Sequence, residues 1–310
     1  MMKHFKNILF VSQGLTDDKE SLEQAMRVAL VSEAKLSALI VTPELPAGMA
    51  TYREVHEHSL HRTLQEKVQL IQQELQLPPQ VLPTVTISSD KPAVTIIQYI
   101  LTHHHDLLIK DAEEYGESSI GFRAIDMTLL RKCPCPVWLN RPNIKPKKNR
   151  RVAVAIDPNC HTAEQKALAL RLLELSRAIV DSCDSRLHIL SCWEYELENY
   201  LRNNVWIKVE DDDLNAQIEE ARVTHRAALD LLIADSGIEG DLIIHHQHGT
   251  PDKEIPACVT HLNIDVLVMG TLARTGIQGF VMGNTAENIL KGIDCALVAL
   301  KPTGFISPIS

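Results

Sequence analysis

The chain has 310 residues, 45% of them hydrophobic and 23% charged, enough apolar material to fill two cores of ordinary size. Its net charge of −9 disfavours a general nucleic-acid surface or an anionic-membrane surface as partner. Seven cysteines are scattered without a C-x-x-C pair, and the longest early apolar run, Ile8 to Val11, is too short for an export signal or a membrane span; reduced thiols and a cytoplasmic location are expected.

Asn7 to Ser12 reads as a buried first strand, followed by a helix from Asp17 to Ser32 with Leu22, Ala25, Met26 and Ala29 on one face. Leu36 to Val41 is a second strand. Arg53 to Leu75 is a long helix, stopped by Pro78 and Pro79. A third strand spans Val81 to Ile87, a helix with Pro in its first turn spans Pro92 to Leu101, and Asp106 to Ile109 is a fourth strand. The half closes with a helix from Asp126 to Arg131 and a fifth strand from Val137 to Asn140. Strands alternating with helices imply a parallel, doubly wound α/β sheet.

The pattern then repeats. Ile8-Leu9-Phe10 aligns with Val152-Ala153-Val154 at an offset of 144, Asp106-Leu107-Leu108 with Asp265-Val266-Leu267 at 159, and Cys135 to Pro142 with Cys295 to Pro302 at 160. The growing offset places extra residues in the second half, around Trp193 to Asp213. A repeat this long is a duplicated domain. The expected boundaries are 1–142 and 150–302, joined by the short basic segment Pro142 to Arg151, read as a solvated linker.

The richest stretch runs from Asp265 to Pro302: a short buried strand, a loop carrying Gly270, Gly276, Gly279 and Gly283, a helix, and a final strand. Asn284 is a good N-cap, and Glu287 completes an N-x-x-E variant of the capping box. Gly283 lets a ligand approach, and the N–H groups of Asn284, Thr285 and Ala286 face an anion with the positive end of the helix dipole behind them. A well-capped helix after a flexible loop is the bland alternative.

These residues resemble the nucleotide loop of the universal stress protein family, G-x-x-G, nine residues, then G-[ST]. Gly270 fits the first position and Gly283 the third; Ala273 stands where the second glycine is expected, and Asn284 where Ser or Thr is. GTLARTG followed by GNTAENI resembles the tandem, E-type branch. The resemblance spans nearly the whole chain. It implies two flavodoxin-like domains, each a five-stranded parallel sheet with helices on both faces, packed as an internal pseudo-dimer with the fifth strands at the interface. It also implies a role in stress tolerance, and ATP at the loop in nucleotide-binding members. A further homodimer is left open.

The two halves differ at their sites. Asp157 ends the first strand of the second half, where the resemblance implies an acidic residue meeting adenine; Gln13 stands there in the first half. The alternative is that Asp157 only caps the turn before Pro158. Cys192 matches a position whose backbone touches the base, and Gly249 with Pro251 opens the next helix. The cofactor-binding set is therefore Asp157, Cys192, Gly249, Gly270, Ala273, Gly283, Asn284 and Thr285. In the first half Asp111 replaces Gly270, Arg123 stands at Gly283, and Glu113, Glu114 and Glu117 line the loop; an anion would be repelled, with the Arg123 side chain filling the gap.

His246 and His248 share one strand face and His245 points the other way, so they read as pocket-edge polar groups or a metal pair. His58 and His61 are read as a solvated face, and Cys133-Pro-Cys135 as packing. Trp193, Tyr195, Tyr200 and Trp206 cluster in the insertion, as a lid over the pocket or as packing on the partner domain. No G-x-x-x-x-G-K-[ST], G-x-G-x-x-G or G-x-S-x-G motif is present, and no nucleophile has a clear base beside it. The expectation is a non-catalytic binder of a nucleotide or similar anion in the second domain. The alternatives are an apolar or lipid-like ligand under the aromatic lid, and slow ATP hydrolysis.

Overall fold

The computed structural model describes residues 5–12, 14, 18–113, 120–142, 145–146, 149–181, 186–203, 209–271 and 282–309. Their elements are β1 (Asn7–Ser12), α1 (Lys19–Ser32), β2 (Lys35–Thr42), α2 (Ala50–Glu74), β3 (Thr84–Ser88), α3 (Pro92–His103), β4 (Leu107–Asp111), α4 (Ala124–Lys132) and β5 (Val137–Asn140). The second half adds β6 (Val152–Ala155), α5 (Ala163–Asp181), β7 (Leu187–Trp193), α6 (Glu198–Asn203), α7 (Asp211–Ser236), β8 (Leu242–His248), α8 (Pro251–His261), β9 (Val266–Gly270), α9 (Asn284–Gly292) and β10 (Ala296–Leu300).

Two compact units result: residues 1–143 with 296–299 and 305–310, and residues 144–295 with 300–304. In unit 1 the strands run β3-β2-β1-β4-β5-β10. The first five are parallel: Ile8 pairs with Leu36 on one side and Leu107 on the other, and Ile109 pairs with Trp138. β10 joins antiparallel to β5, with Leu297 against Leu139 and Val298 against Trp138. In unit 2 the order β9-β6-β7-β8 is parallel throughout, with Val154 between Ile189 and Val268.

The central strands explain their own burial. β1, β9 and the 107–109 run of β4 are apolar with almost no exposure, as a parallel sheet with both faces covered requires, and β10 is equally buried. α1 turns Leu22, Ala25, Met26 and Ala29 inward, as its spacing requires, and stops at Glu33, whose φ of 52° closes the helix in the left-handed region. The insertion of the second half forms α6 and the start of α7. Two element starts differ from the expectation by three residues, more than any other start. α2 begins at Ala50 rather than Arg53, behind a turn of 3-10 helix. β3 begins at Thr84 rather than Val81, because the Pro83 carbonyl already pairs with Ala38 while Val81 is 82% exposed.

Candidate functional site

Unit 2 holds a cavity of about 650 Å³ at the carboxyl ends of β6, β7 and β9. In an open parallel sheet this is where ligands sit, since the loops leaving the strands can diverge there. β6 supplies Ala155 and the loop after it Asp157, Asn159 and Cys160; β7 supplies Cys192; β9 supplies Met269 and Gly270. α5 contributes Gln165, Leu168, Ala169 and Leu172, one stripe at i, i+3, i+4 and i+7. The first turn of α9, from Asn284 to Ala286, closes the far wall with Gly283.

Six residues singled out in the sequence, Asp157, Cys192, Gly270, Gly283, Asn284 and Thr285, therefore meet at one cavity although they come from four separate chain segments. Ala273 lies outside the described residues. Gly249 is not among the lining residues. Its φ of +136° and its contact with Glu254, whose Oε1 would sit 2.9 Å from an added Cβ, give it a backbone role, while Pro251 two residues on reaches the cavity.

The start of α9 differs from expectation in one respect. Gly283, not Asn284, is the N-cap: its carbonyl accepts the Glu287 N–H at 2.9 Å, so Asn284 is already inside the helix. No described side chain caps the turn, and Glu287 pairs with Lys291 at 3.2 Å. The N–H groups of Asn284, Thr285 and Ala286 have no carbonyl within the helix to bind, and all three residues line the cavity. The Gly283 N–H itself is held by the Thr271 carbonyl at 3.2 Å. At φ −67° and ψ 142° Gly283 has an extended backbone open to any residue, so glycine matters there only for the space it leaves. Gly270 is similar: an added Cβ would press on Leu168 Cδ2 at 3.2 Å.

Asp157 both forms the turn and faces the cavity. Its Oδ1 accepts the Asn159 N–H at 2.9 Å, and its half-buried carboxylate is the one charged group among the described lining residues. Burial pushes the Cys192 thiol up to about 12, helped by Cys258, Glu254 and Asp157 nearby, so it stays protonated. A protonated thiol is neither a nucleophile nor a repelling charge.

Unit 1 shows what happens to the same position when it is filled. Lys110 and Asp126 stand where Met269 and Ala286 stand in unit 2, at the offsets of 159 and 160. Lys110 Nζ meets Asp126 Oδ1 at 2.6 Å with both side chains almost fully buried. Asp126 Oδ2 accepts the Glu113 N–H at 2.8 Å, and Glu113 Oε2 in turn accepts the Ile125 N–H at 3.3 Å in the first turn of α4. The protein's own carboxylate thus occupies the helix end that an external anion would need. Arg123, expected to fill the gap, is exposed and lines with Glu113 and Ile125 a space of about 660 Å³ at the start of α4, while Lys110, Asp126 and Glu113 bond one another and the helix start. Glu114, Glu117 and Gln13 lie outside the described residues. Asp111 is pushed up to about 6 by burial, against the opposing hydrogen bonds from Ser21 and Asn140.

The histidines sort by face as the strand period requires. His245 Nε2 meets His188 Nδ1 at 2.9 Å on one side of β8; His246 Nε2 meets His225 Nδ1 at 2.9 Å on the other. Trp193 stacks on His248 at 4.4 Å, and His248 bonds Glu198 at 3.0 Å. Burial lowers the pKa of His188 to about 4 and moves His245 and His246 the same way. Among the described residues no group of three or more His, Cys, Asp or Glu could hold a metal ion. Trp193, Tyr195 and Tyr200 are not among the lining residues, so these three form no lid over the cavity; Trp206 lies outside the described residues. His61 bonds Thr86 Oγ1 at 2.8 Å rather than standing on a solvated face. Cys133 and Cys135 are buried with their Sγ atoms 3.5 Å apart and form no disulfide.

Sequence reasoning missed the α5 wall and the Lys110–Asp126 pair. Both had a signal. Thr162-x-x-Gln165 is a capping box, and a lysine inside the apolar run LLIKD demands a buried partner.

The model of the universal stress protein family matches residues 4–141 and 148–301. Universal stress protein E of Photorhabdus laumondii is 28% identical over 99% of this chain and 98% of its own length, and universal stress protein E of Escherichia coli K12 is 25% identical over the same shares. A crystal structure of a universal stress protein from Pseudomonas aeruginosa superposes with a TM-score of 0.70 at 22% identity, covering 97% of this chain and 94% of that one. No described helix is long and apolar enough to cross a membrane.

Proposed function

The chain belongs to the universal stress protein family, with two copies of its domain in tandem, and from that premise we propose that unit 2 binds one adenine nucleotide, ATP or a relative of it, without fast turnover. The observation that carries this reading is the meeting of the Asp157 carboxylate with the first turn of α9, which no described side chain caps, across one cavity. A carboxylate accepts from an exocyclic amino group, and three N–H groups at a helix start take a phosphate. Met269, Met282, Leu168, Leu172 and Ile289 supply flat apolar contacts for a base between these ends. Slow hydrolysis is the lesser possibility, because no described lining residue forms a nucleophile–base pair. The physiological reading is a cytoplasmic protein with a role in stress tolerance.

A second reading has one observation in its favour: the walls are largely apolar and hold no described cation, which suits an apolar or lipid-like ligand. Native mass spectrometry of the freshly purified chain separates the two. Retention of an adenine nucleotide supports the first reading, and retention of an acyl-chain mass moves the second ahead.

A further inference from the structure

We propose that Gln165 is a ligand-binding residue of the unit 2 cavity, its carboxamide Nε2 donating a hydrogen bond to an acceptor of the bound nucleoside. The inference rests on the nucleotide reading above and adds to it a residue that no motif marks.

The geometry begins with the cap of α5. Thr162 Oγ1 accepts the Gln165 N–H at 3.2 Å, and Gln165 Oε1 reaches back to accept the Thr162 N–H at 3.3 Å and the His161 N–H at 2.7 Å. This is a reciprocal capping box. Two donors on Oε1 fix the amide's orientation, since a flip would set its NH2 against two N–H groups. Nε2 is thereby held on the opposite edge of the amide. Gln165 heads the stripe Leu168, Ala169 and Leu172 that forms one cavity wall, and no described residue accepts from Nε2.

The choice of amide over acid is informative. Glu makes the same back-bond to the N-cap and also suits the positive helix end, so for capping alone Glu is the better residue. What Gln adds is a donor. Set beside the Asp157 acceptor on the same cavity, it gives the site one donor and one acceptor, which complements a nucleoside carrying an amino group together with ring nitrogens and ribose oxygens.

The test uses Gln165→Glu, which keeps the cap and removes the donor, and Thr162→Ala, which weakens the cap and keeps the donor. AMP and uncharged adenosine are titrated calorimetrically into the full chain, and Tm is recorded for each variant. Gln165→Glu should keep or raise Tm and weaken both ligands by about tenfold. Thr162→Ala should lower Tm and leave both affinities within about twofold. Unchanged affinity in Gln165→Glu overturns the inference. So does a loss seen with AMP alone, which is charge repulsion, or an equal loss in Thr162→Ala, which is an effect of the cap. If neither ligand binds the unaltered chain, the nucleotide reading falls and takes the inference with it, a result distinct from the other three.

Discussion

Removing either partner of the Lys110–Asp126 pair should cost far more than removing both. The ammonium and carboxylate are 2.6 Å apart with 2% and 0% of their side chains exposed, so each relies on the other for lost hydration. Asp126→Ala leaves a buried ammonium whose other described hydrogen bond goes to the Asp111 carbonyl, and also strips the Glu113 N–H of its acceptor. Lys110→Met leaves a buried carboxylate that still accepts one N–H. Breaking such a pair from one side costs about 3–5 kcal/mol, whereas replacing both partners by apolar groups of similar volume is near neutral. The double change Lys110→Met with Asp126→Ala installs the residues unit 2 carries at these positions. Allowing about 1–3 kcal/mol for the orphaned Glu113 N–H, the double variant should still be more stable than the Asp126→Ala single. Urea unfolding monitored by circular dichroism and by Trp138, which lies on the neighbouring strand β5, reads the cycle. Single variants that each lose less than about 1 kcal/mol, or a double variant losing the sum of the singles, would refute this account of how unit 1 fills its site.

Asp111 gives a pH signature. Its folded pKa of about 6 lies above the ordinary 3.8, so the folded state holds its proton more tightly than the unfolded chain. Its contribution is therefore fully present below about pH 4 and lost as pH rises towards 6 and beyond, by up to about 3 kcal/mol. Asp111→Asn should flatten that slope and raise stability at pH 7, read from unfolding at about pH 4.5 and 7; an unchanged slope would count against a buried, protonated Asp111. Gly283→Arg should fold normally, because its φ of −67° suits any residue, while adenine nucleotide affinity falls more than about tenfold; calorimetry beside a melting curve separates the two effects. Asp157→Ala should weaken AMP by about 1–3 kcal/mol if the carboxylate meets the base, and a change below twofold in titration would show that it serves only the Asn159 turn. Gly249→Ala should destabilise unit 2 by about 1–3 kcal/mol through its φ of +136° and the Glu254 contact; a melting curve matching the parent would argue against a backbone role.

The fold was legible because the signals are long and repeated. Each core strand is an apolar run bounded by a polar residue, and the same order recurs after 144 to 160 residues. The ends were less legible. The start of β3 depends on where Pro83 allows pairing with β2, which is a tertiary matter. At α9 the propensity of Asn for the N-cap pointed one residue too far along; the actual cap is set by where the Gly283 carbonyl finds the Glu287 N–H. In unit 1 the loop composition suggested repulsion by glutamates. Of those glutamates the described one, Glu113, makes one specific bond, accepting the Ile125 N–H, beside a buried ion pair. Composition reports the sign of a charge, but not which carboxylate reaches the helix end. Gln165 escaped notice because a capping residue looks purely structural until it is found among the residues lining a cavity.

Unit 2 keeps the cavity proposed to take a nucleotide, while in unit 1 the protein's own carboxylates hold the matching helix start. The most direct measurement is the stoichiometry of AMP and ATP binding to the full chain by calorimetry, run in parallel on Gly283→Arg. The account predicts one equivalent per chain, lost in the variant. Two equivalents per chain, or one equivalent retained in Gly283→Arg, would contradict it.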